Sequence, residues 1–244
     1  MNFPRDIKLQ FILFLSAFAL YWSLLNREPG VLIFFVLAAV FSALVDSLVL
    51  WLKTKKLVLT PSSLISGLII GFVLSSDLAV WKLFFACLLA VLSKHLIKFR
   101  QRHIFNPAAY GVFLLTVIFG ATTEWKGAYS WYILLPAGAY FIFRIRKIEI
   151  FLGYFIAALL IFAVQAVVQK APLRYIFGYL NYFFMAVMLI EPKTTPVKKT
   201  GKWIFGIGAA ALVFLLTEAG VRFDAELCCL LAANLAVPIL NRFP

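Results

Sequence analysis

The sequence predicts an all-α polytopic membrane protein of about ten transmembrane helices, arranged as two inverted five-helix repeats with some helices short or broken. Three observations carry that prediction. First, the chain is 64% hydrophobic and only 14% charged over 244 residues, more apolar surface than a soluble domain can bury. Second, the apolar residues form runs that are apolar all round, which excludes basic amphipathic helices lying on a membrane surface. Third, the charges sit in short loops and favour alternate loops. The net charge of +13 therefore reads as membrane orientation and not as nucleic-acid affinity.

The candidate spans follow in chain order. Span 7–25 contains Ala17-Phe18-Ala19, which looks like a weak signal-cleavage site, but the run continues to Leu25 and reads as an uncleaved first helix. Span 31–52 carries Asp46, an intramembrane carboxylate. Such a group is a functional candidate, or it sits near the inner interface and pairs with Lys53 or Lys55. Span 57–75 is interrupted by Thr60-Pro61-Ser62-Ser63 and Ser66-Gly67, which either cap a broken helix beside a ligand or allow close helix packing. Span 80–96 ends at a basic loop flanked by His95 and His103, both expected at the interface. Span 106–119 opens on Asn106-Pro107. Proline in the first turn removes one orphan N–H, and the remaining N–H groups with the positive helix end suit a binding site.

The second half supplies spans 130–143, 150–168, 173–190, 203–217 and 225–240. Spans 106–119, 130–143 and 203–217 read as short, a frequent mark of a site. Span 173–190 is interrupted by Gly178 and Asn181, as span 57–75 is by its own small and polar residues. The entry Ile104-Phe105-Asn106 stands opposite Arg222-Phe223-Asp224. An odd number of spans per repeat inverts the second repeat. The repeats are expected at 1–125 and 126–244, one integral membrane domain.

Loop charges orient the spans. With the N-terminus in the cytoplasm, the inner side collects Arg5, Lys8, Lys53, Lys55, Lys56, Lys94, Lys98, Arg100, Arg102, Arg144, Arg146, Lys147, Lys193, Lys198, Lys199, Lys202 and Arg242. The outer loops hold Arg27, Lys82, Lys126, Lys170, Arg174 and Arg222, together with acidic Glu28, Asp77, Glu124, Glu218, Asp224 and Glu226. Both termini are thus expected in the cytoplasm of a cell inner membrane. Cys87, Cys228 and Cys229 lie in apolar runs and read as buried small hydrophobes. No metal-ligand spacing, GxSxG, Gly-Lys-Ser/Thr phosphate loop or HExxH is present.

After the eighth span comes Glu191-Pro192-Lys193-Thr194-Thr195-Pro196, then Lys198, Lys199 and Lys202. Two prolines fix an extended turn faced by hydroxyls. It reads as a basic inner loop, or as a site for a phosphate or a partner subunit.

Several of these segments together resemble the NqrB/RnfD family, membrane subunits of the sodium-translocating NADH:quinone oxidoreductase and of Rnf electron-transport complexes. Phe105-Asn106-Pro107-Ala108 is similar to its Phe-Asn-Pro-Ala signature. Glu191-Pro192-Lys193-Thr194-Thr195-Pro196 resembles its Asp-Pro-x-Thr-Ser-Pro loop, with Glu for Asp. Ser66-Gly67-Leu68, Gly201, Ile204-Phe205-Gly206-Ile207-Gly208 and Asn234-Leu235-Ala236-Val237-Pro238-Ile239-Leu240 continue the likeness over most of the chain.

The resemblance implies a membrane subunit of an electron-transport complex that is not catalytic alone. It would support flavin-mediated electron transfer across or along the membrane, with coupled ion movement, beside other membrane and peripheral subunits. It implies FMN joined through its phosphate to a Thr on the outer side, here Thr122 beside Thr123. This sequence departs from the motif, with Phe119 where the family has Ser, no preceding Asp, and a shorter loop. A second, non-covalent flavin would fall to Ser62, Ser66, Gly67, Asn106, Pro107, Thr194 and Thr195. A different reading is a small-solute channel or transporter of urea-transporter-like architecture, since facing broken helices also build those.

Overall fold

The computed structural model describes residues 6–99 and 101–242, apart from the Tyr175 side chain. Arg5 and Arg100, two of the expected inner charges, lie outside the described residues. The chain divides into two compact units, Met1–His103 with Pro107–Gly127, and Ile104–Asn106 with Ala128–Pro244.

The first unit contains α1 (Ile7–Leu25), α2 (Pro29–Thr54), α3 (Pro61–Val73), α4 (Val80–Leu96), a small hairpin of β1 (Lys98–Phe99) and β2 (Arg102–His103), and α5 (Pro107–Phe119). Asp6 starts α1 by accepting the Lys8 N–H at 2.8 Å. The hairpin register pairs Lys98 with His103 and Phe99 with Arg102. Phe72 of α3 stacks on Phe18 of α1 at 5.1 Å and meets Phe35 of α2 at 4.5 Å between ring centroids, so three helices share one aromatic core.

Helix α3 is short because both its ends are fixed. Pro61 sets the first turn, and Leu74 leaves the helix in an extended conformation to bridge Thr123. Thirteen residues reach about 20 Å, less than the roughly 30 Å of hydrocarbon. Glycines let the helices touch. A methyl group on Gly67 would strike the Ala38 carbonyl of α2, and one on Gly111 the Ala86 carbonyl of α4.

The second unit contains α6 (Trp131–Arg144), α7 (Ile148–Val168), α8 (Lys199–Glu218) and α9 (Ala225–Leu240). Between α7 and α8 the expected span 173–190 is not one helix. A 3-10 run, Leu173–Tyr179, gives way to extended backbone at Leu180, and a π-helical turn follows at Phe184–Met188. The cause is Asn181. Its side-chain oxygen takes the Phe184 N–H at 2.9 Å and its amide donates to Glu226 at 2.6 Å. A side chain that satisfies backbone locally competes with the regular ladder. Asp224 caps α9 by accepting from the N–H groups of Glu226 and Leu227. Gly206 of α8 packs on the Ile150 carbonyl of α7.

Four helices, α1, α2, α7 and α8, are long and apolar enough to cross a membrane. Helix α8 runs for 20 residues, so the ninth span is longer than the 203–217 expected of it. Helices α3, α5 and α9 are apolar but shorter. The chain is a helical membrane protein.

Candidate functional site

Three of the distant motifs meet within the second unit. Asn106 is 2% exposed. Its backbone N–H donates to Asn234 Oδ1 at 2.9 Å, and its Nδ2 donates to the Met188 carbonyl at 3.4 Å. Asn234 of α9 turns its Nδ2 to the Thr194 carbonyl at 2.9 Å. One buried side-chain amide thereby joins the Asn-Pro entry and the Glu191–Pro196 loop, and Asn106 carries the connection on to the end of the π turn. Local contacts fix that loop as well. Thr194 Oγ1 donates to Glu191 Oε2 at 3.1 Å and Thr195 Oγ1 to the Glu191 carbonyl at 2.6 Å. Lys147 is buried and donates to the Pro196 carbonyl at 2.7 Å. Val197 N–H donates to Asn241 at 2.8 Å. Lys202 bonds the Arg146 carbonyl and Glu149. Thus Lys147 and Lys202, expected as loop charges, hold backbone instead. Pro107, the next residue after Asn106, is buried at the start of α5 in the first unit.

A second polar group lies in the first unit, around Asp46. The carboxylate is fully buried. It accepts from Lys94 Nζ at 3.0 and 3.1 Å, from His95 Nε2 at 2.7 Å when that nitrogen carries the proton, and from Thr60 Oγ1. Lys94 also reaches Ser62 Oγ at 2.9 Å. The expected pairing of Asp46 with Lys53 or Lys55 is therefore wrong. Lys53 stands two turns further along α2 and stays exposed, while Lys55, in left-handed backbone at the helix end, lies over the Trp51 ring at 5.1 Å. His95 and His103 are not interfacial side chains either; the first binds Asp46 and the second is 7% exposed. Ser66 Oγ donates back to the Ser62 carbonyl at 3.0 Å, and Gly67 is filled by the backbone of α2. The expected flavin-facing residues of α3 thus serve helix packing and the Asp46 group. Sequence reasoning missed Lys94 and Thr60. The available signal was that Thr60 precedes the helix-opening Pro61 and Lys94 ends the next helix.

Thr122 and Thr123 lie on the segment after α5, which Gly120 ends in left-handed backbone with φ +61°. Thr122 is exposed, and its carbonyl accepts the Ser75 N–H at 3.2 Å. Glu124 N–H bonds the Val73 carbonyl at 2.8 Å and Lys126 N–H the Phe72 carbonyl at 2.7 Å. Lys126, expected as an outer-loop charge, is 1% exposed. Its ammonium donates to the Leu74 carbonyl, pairs with Glu124 Oε2 at 2.8 Å and lies over the Phe34 ring at 5.3 Å. Burial pushes this amine below the ordinary lysine range, against the pull of Glu124 and, more weakly, of Asp77 and Glu28.

The sequence matches the model of the NQR2, RnfD, RnfE family twice, over residues 5–131 and 118–244. It is 36% identical over 61 residues to the D subunit of the ion-translocating oxidoreductase complex of Actinobacillus succinogenes. That stretch is 25% of this chain and spans 16% of the length of that relative.

Proposed function

This chain belongs to the NQR2, RnfD, RnfE family, and we propose from that membership that it is a membrane subunit of an Rnf- or Nqr-type electron-transport complex, not catalytic alone. In this reading it supports flavin-mediated electron transfer across or along the membrane, coupled to ion transport, with other membrane and peripheral subunits docked on its basic inner loops. The proposed frame is ten spans in two inverted repeats, 1–125 and 126–244, with both termini in the cytoplasm. The observation that carries the reading is the Asn234 node. Phe105-Asn106-Pro107-Ala108, the Glu191–Pro196 loop and the closing Asn234 run resemble the family independently in sequence, and one residue hydrogen-bonds the other two.

Thr122 fits the role of FMN acceptor in one respect that matters for a phosphoester, an exposed side chain on a segment whose backbone is pinned to α3. FMN, when bound, supplies one-electron chemistry that no side chain here can. The chain's own part is to fix the Thr122 backbone against Ser75 and to hold Thr123 against Leu74. The second flavin fits less well. Ser62, Ser66, Asn106, Thr194 and Thr195 all spend hydrogen bonds on the protein, so no step is assigned to a flavin there.

The deciding experiment is expression of the chain with its neighbouring subunits and a flavin transferase, then flavin fluorescence on the denatured gel band. Fluorescence lost in Thr122→Ala is expected. Fluorescence retained in that variant excludes Thr122, and none in either chain removes the covalent flavin. Saturable solute flux from proteoliposomes without a redox partner would favour the channel reading instead.

A further inference from the structure

Helix α3 stops short, and the residues after α5 close over its carboxyl end. The last carbonyls of a helix carry partial negative charge and need donors. Here the Phe72 carbonyl is taken by the Lys126 N–H, the Val73 carbonyl by the N–H groups of Glu124 and Trp125, and the Leu74 carbonyl by the Lys126 ammonium. The ammonium stands at the carboxyl end of the helix and is almost wholly buried. Around it are a main-chain carbonyl oxygen, one carboxylate oxygen at 2.8 Å and the face of Phe34 at 5.3 Å. Among the described residues no three His, Cys, Asp or Glu side chains gather to hold a metal ion. The donors therefore suit a single positive charge of modest field and not a divalent ion. Carboxyl ends of interrupted helices hold Na⁺ in other membrane proteins.

We propose that the carboxyl end of α3 is a monovalent-cation seat, of the Na⁺, K⁺ or ammonium class, which the chain fills with its own Lys126 ammonium. The tether raises the local concentration of the occupant far above that of any free ion. With the lysine in place the seat is closed to free cations and the 120–127 segment is locked on α3. When the ammonium is removed, a free monovalent cation takes its position between the Leu74 carbonyl and Glu124. The proposal is independent of flavin.

The experiment is cation rescue of Lys126→Ala in the full chain, in detergent, at constant ionic strength. In choline chloride the variant should melt roughly 5–10 °C below wild type. NaCl, KCl or methylammonium chloride should restore most of that loss with a saturating concentration dependence, while the wild-type midpoint stays the same in all four salts. Lys126→Met fills the space without the charge and should show the loss without the rescue. A Lys126→Ala midpoint that no salt shifts beyond choline overturns the proposal. So does a Lys126→Met protein as stable as wild type, since an apolar plug would then suffice. If Lys126→Ala accumulates folded only when made and purified in methylammonium, the proposal stands; if it accumulates in neither salt, it falls.

Discussion

Asn234 holds the backbone N–H of Asn106 at 2.9 Å across 128 residues of sequence. The contact solves a local problem. Asn106 precedes a proline, which biases it away from helical backbone, and its buried N–H has no place in the ladder of α5. A side-chain oxygen from α9 supplies the partner, and the same amide gives its N–H to the Thr194 carbonyl. Two backbone groups from separate motifs depend on one side chain.

That dependence separates two substitutions that look alike on paper. Asn234→Ala leaves a buried N–H and a buried carbonyl unpaired, each worth about 1–3 kcal/mol. Asn106→Ala removes the long side-chain bond to Met188 and leaves the Asn106 backbone bond intact. Thermal unfolding of the purified variants should show a clearly larger loss for Asn234→Ala. Equal losses would mean that the node is held by something other than Asn234.

Gly206 and Gly208 lie two residues apart on α8 and predict opposite outcomes. Nothing lies within 4 Å of a methyl group placed on Gly208, whereas one on Gly206 strikes the Ile150 carbonyl. Gly208→Ala should gain up to about 1 kcal/mol from helix propensity. Gly206→Ala should lose about 1–3 kcal/mol by forcing α7 and α8 apart. Denaturation midpoints of the two single variants check both signs in one series.

Much of the frame is legible in the sequence because it rests on apolar run length, proline and loop charge. The bounds of α1, α4 and α9 fall where the runs end. The Asn-Pro opening of α5 is legible for the same reason, since proline acts on its own neighbours. The stretch 173–190 is not, because an apolar run says nothing of Asn181 reaching Glu226 45 residues on. The same holds for charge. Lys126 in a short loop looks solvated until the fold sets it under the end of α3. Asp46 is recognisable as unusual, but its partners Lys94 and His95 lie 48 and 49 residues away. Which lysine a buried carboxylate meets is decided by helix packing, and loop charge carries no record of it.

The Asp46 group should behave as a coupled unit. Asp46→Asn leaves the Lys94 ammonium, 13% exposed, without its counter-charge, and breaking a buried pair on one side costs about 3–5 kcal/mol. Adding Lys94→Met to that variant removes the stranded charge and should restore part of the loss. A double-mutant cycle on unfolding midpoints measures the coupling, expected to exceed about 1 kcal/mol. Simple additivity would show that Thr60 and His95 satisfy Asp46 without Lys94.

Lys126 gives a pH dependence whose sign can be worked out. Burial lowers its folded-state pKa below the ordinary 10.5. Between those two values the unfolded chain binds more protons than the folded one, so this group makes stability rise with pH. Its contribution is fully present above 10.5 and is lost as pH falls through the folded value. Lys126→Met removes the titration while leaving every other lysine in place. The midpoint difference, wild type minus variant, should therefore grow from neutral pH toward about pH 10. A difference that shrinks over that range would mean that Glu124, Asp77 and Glu28 outweigh burial and hold the amine charged more firmly than water does.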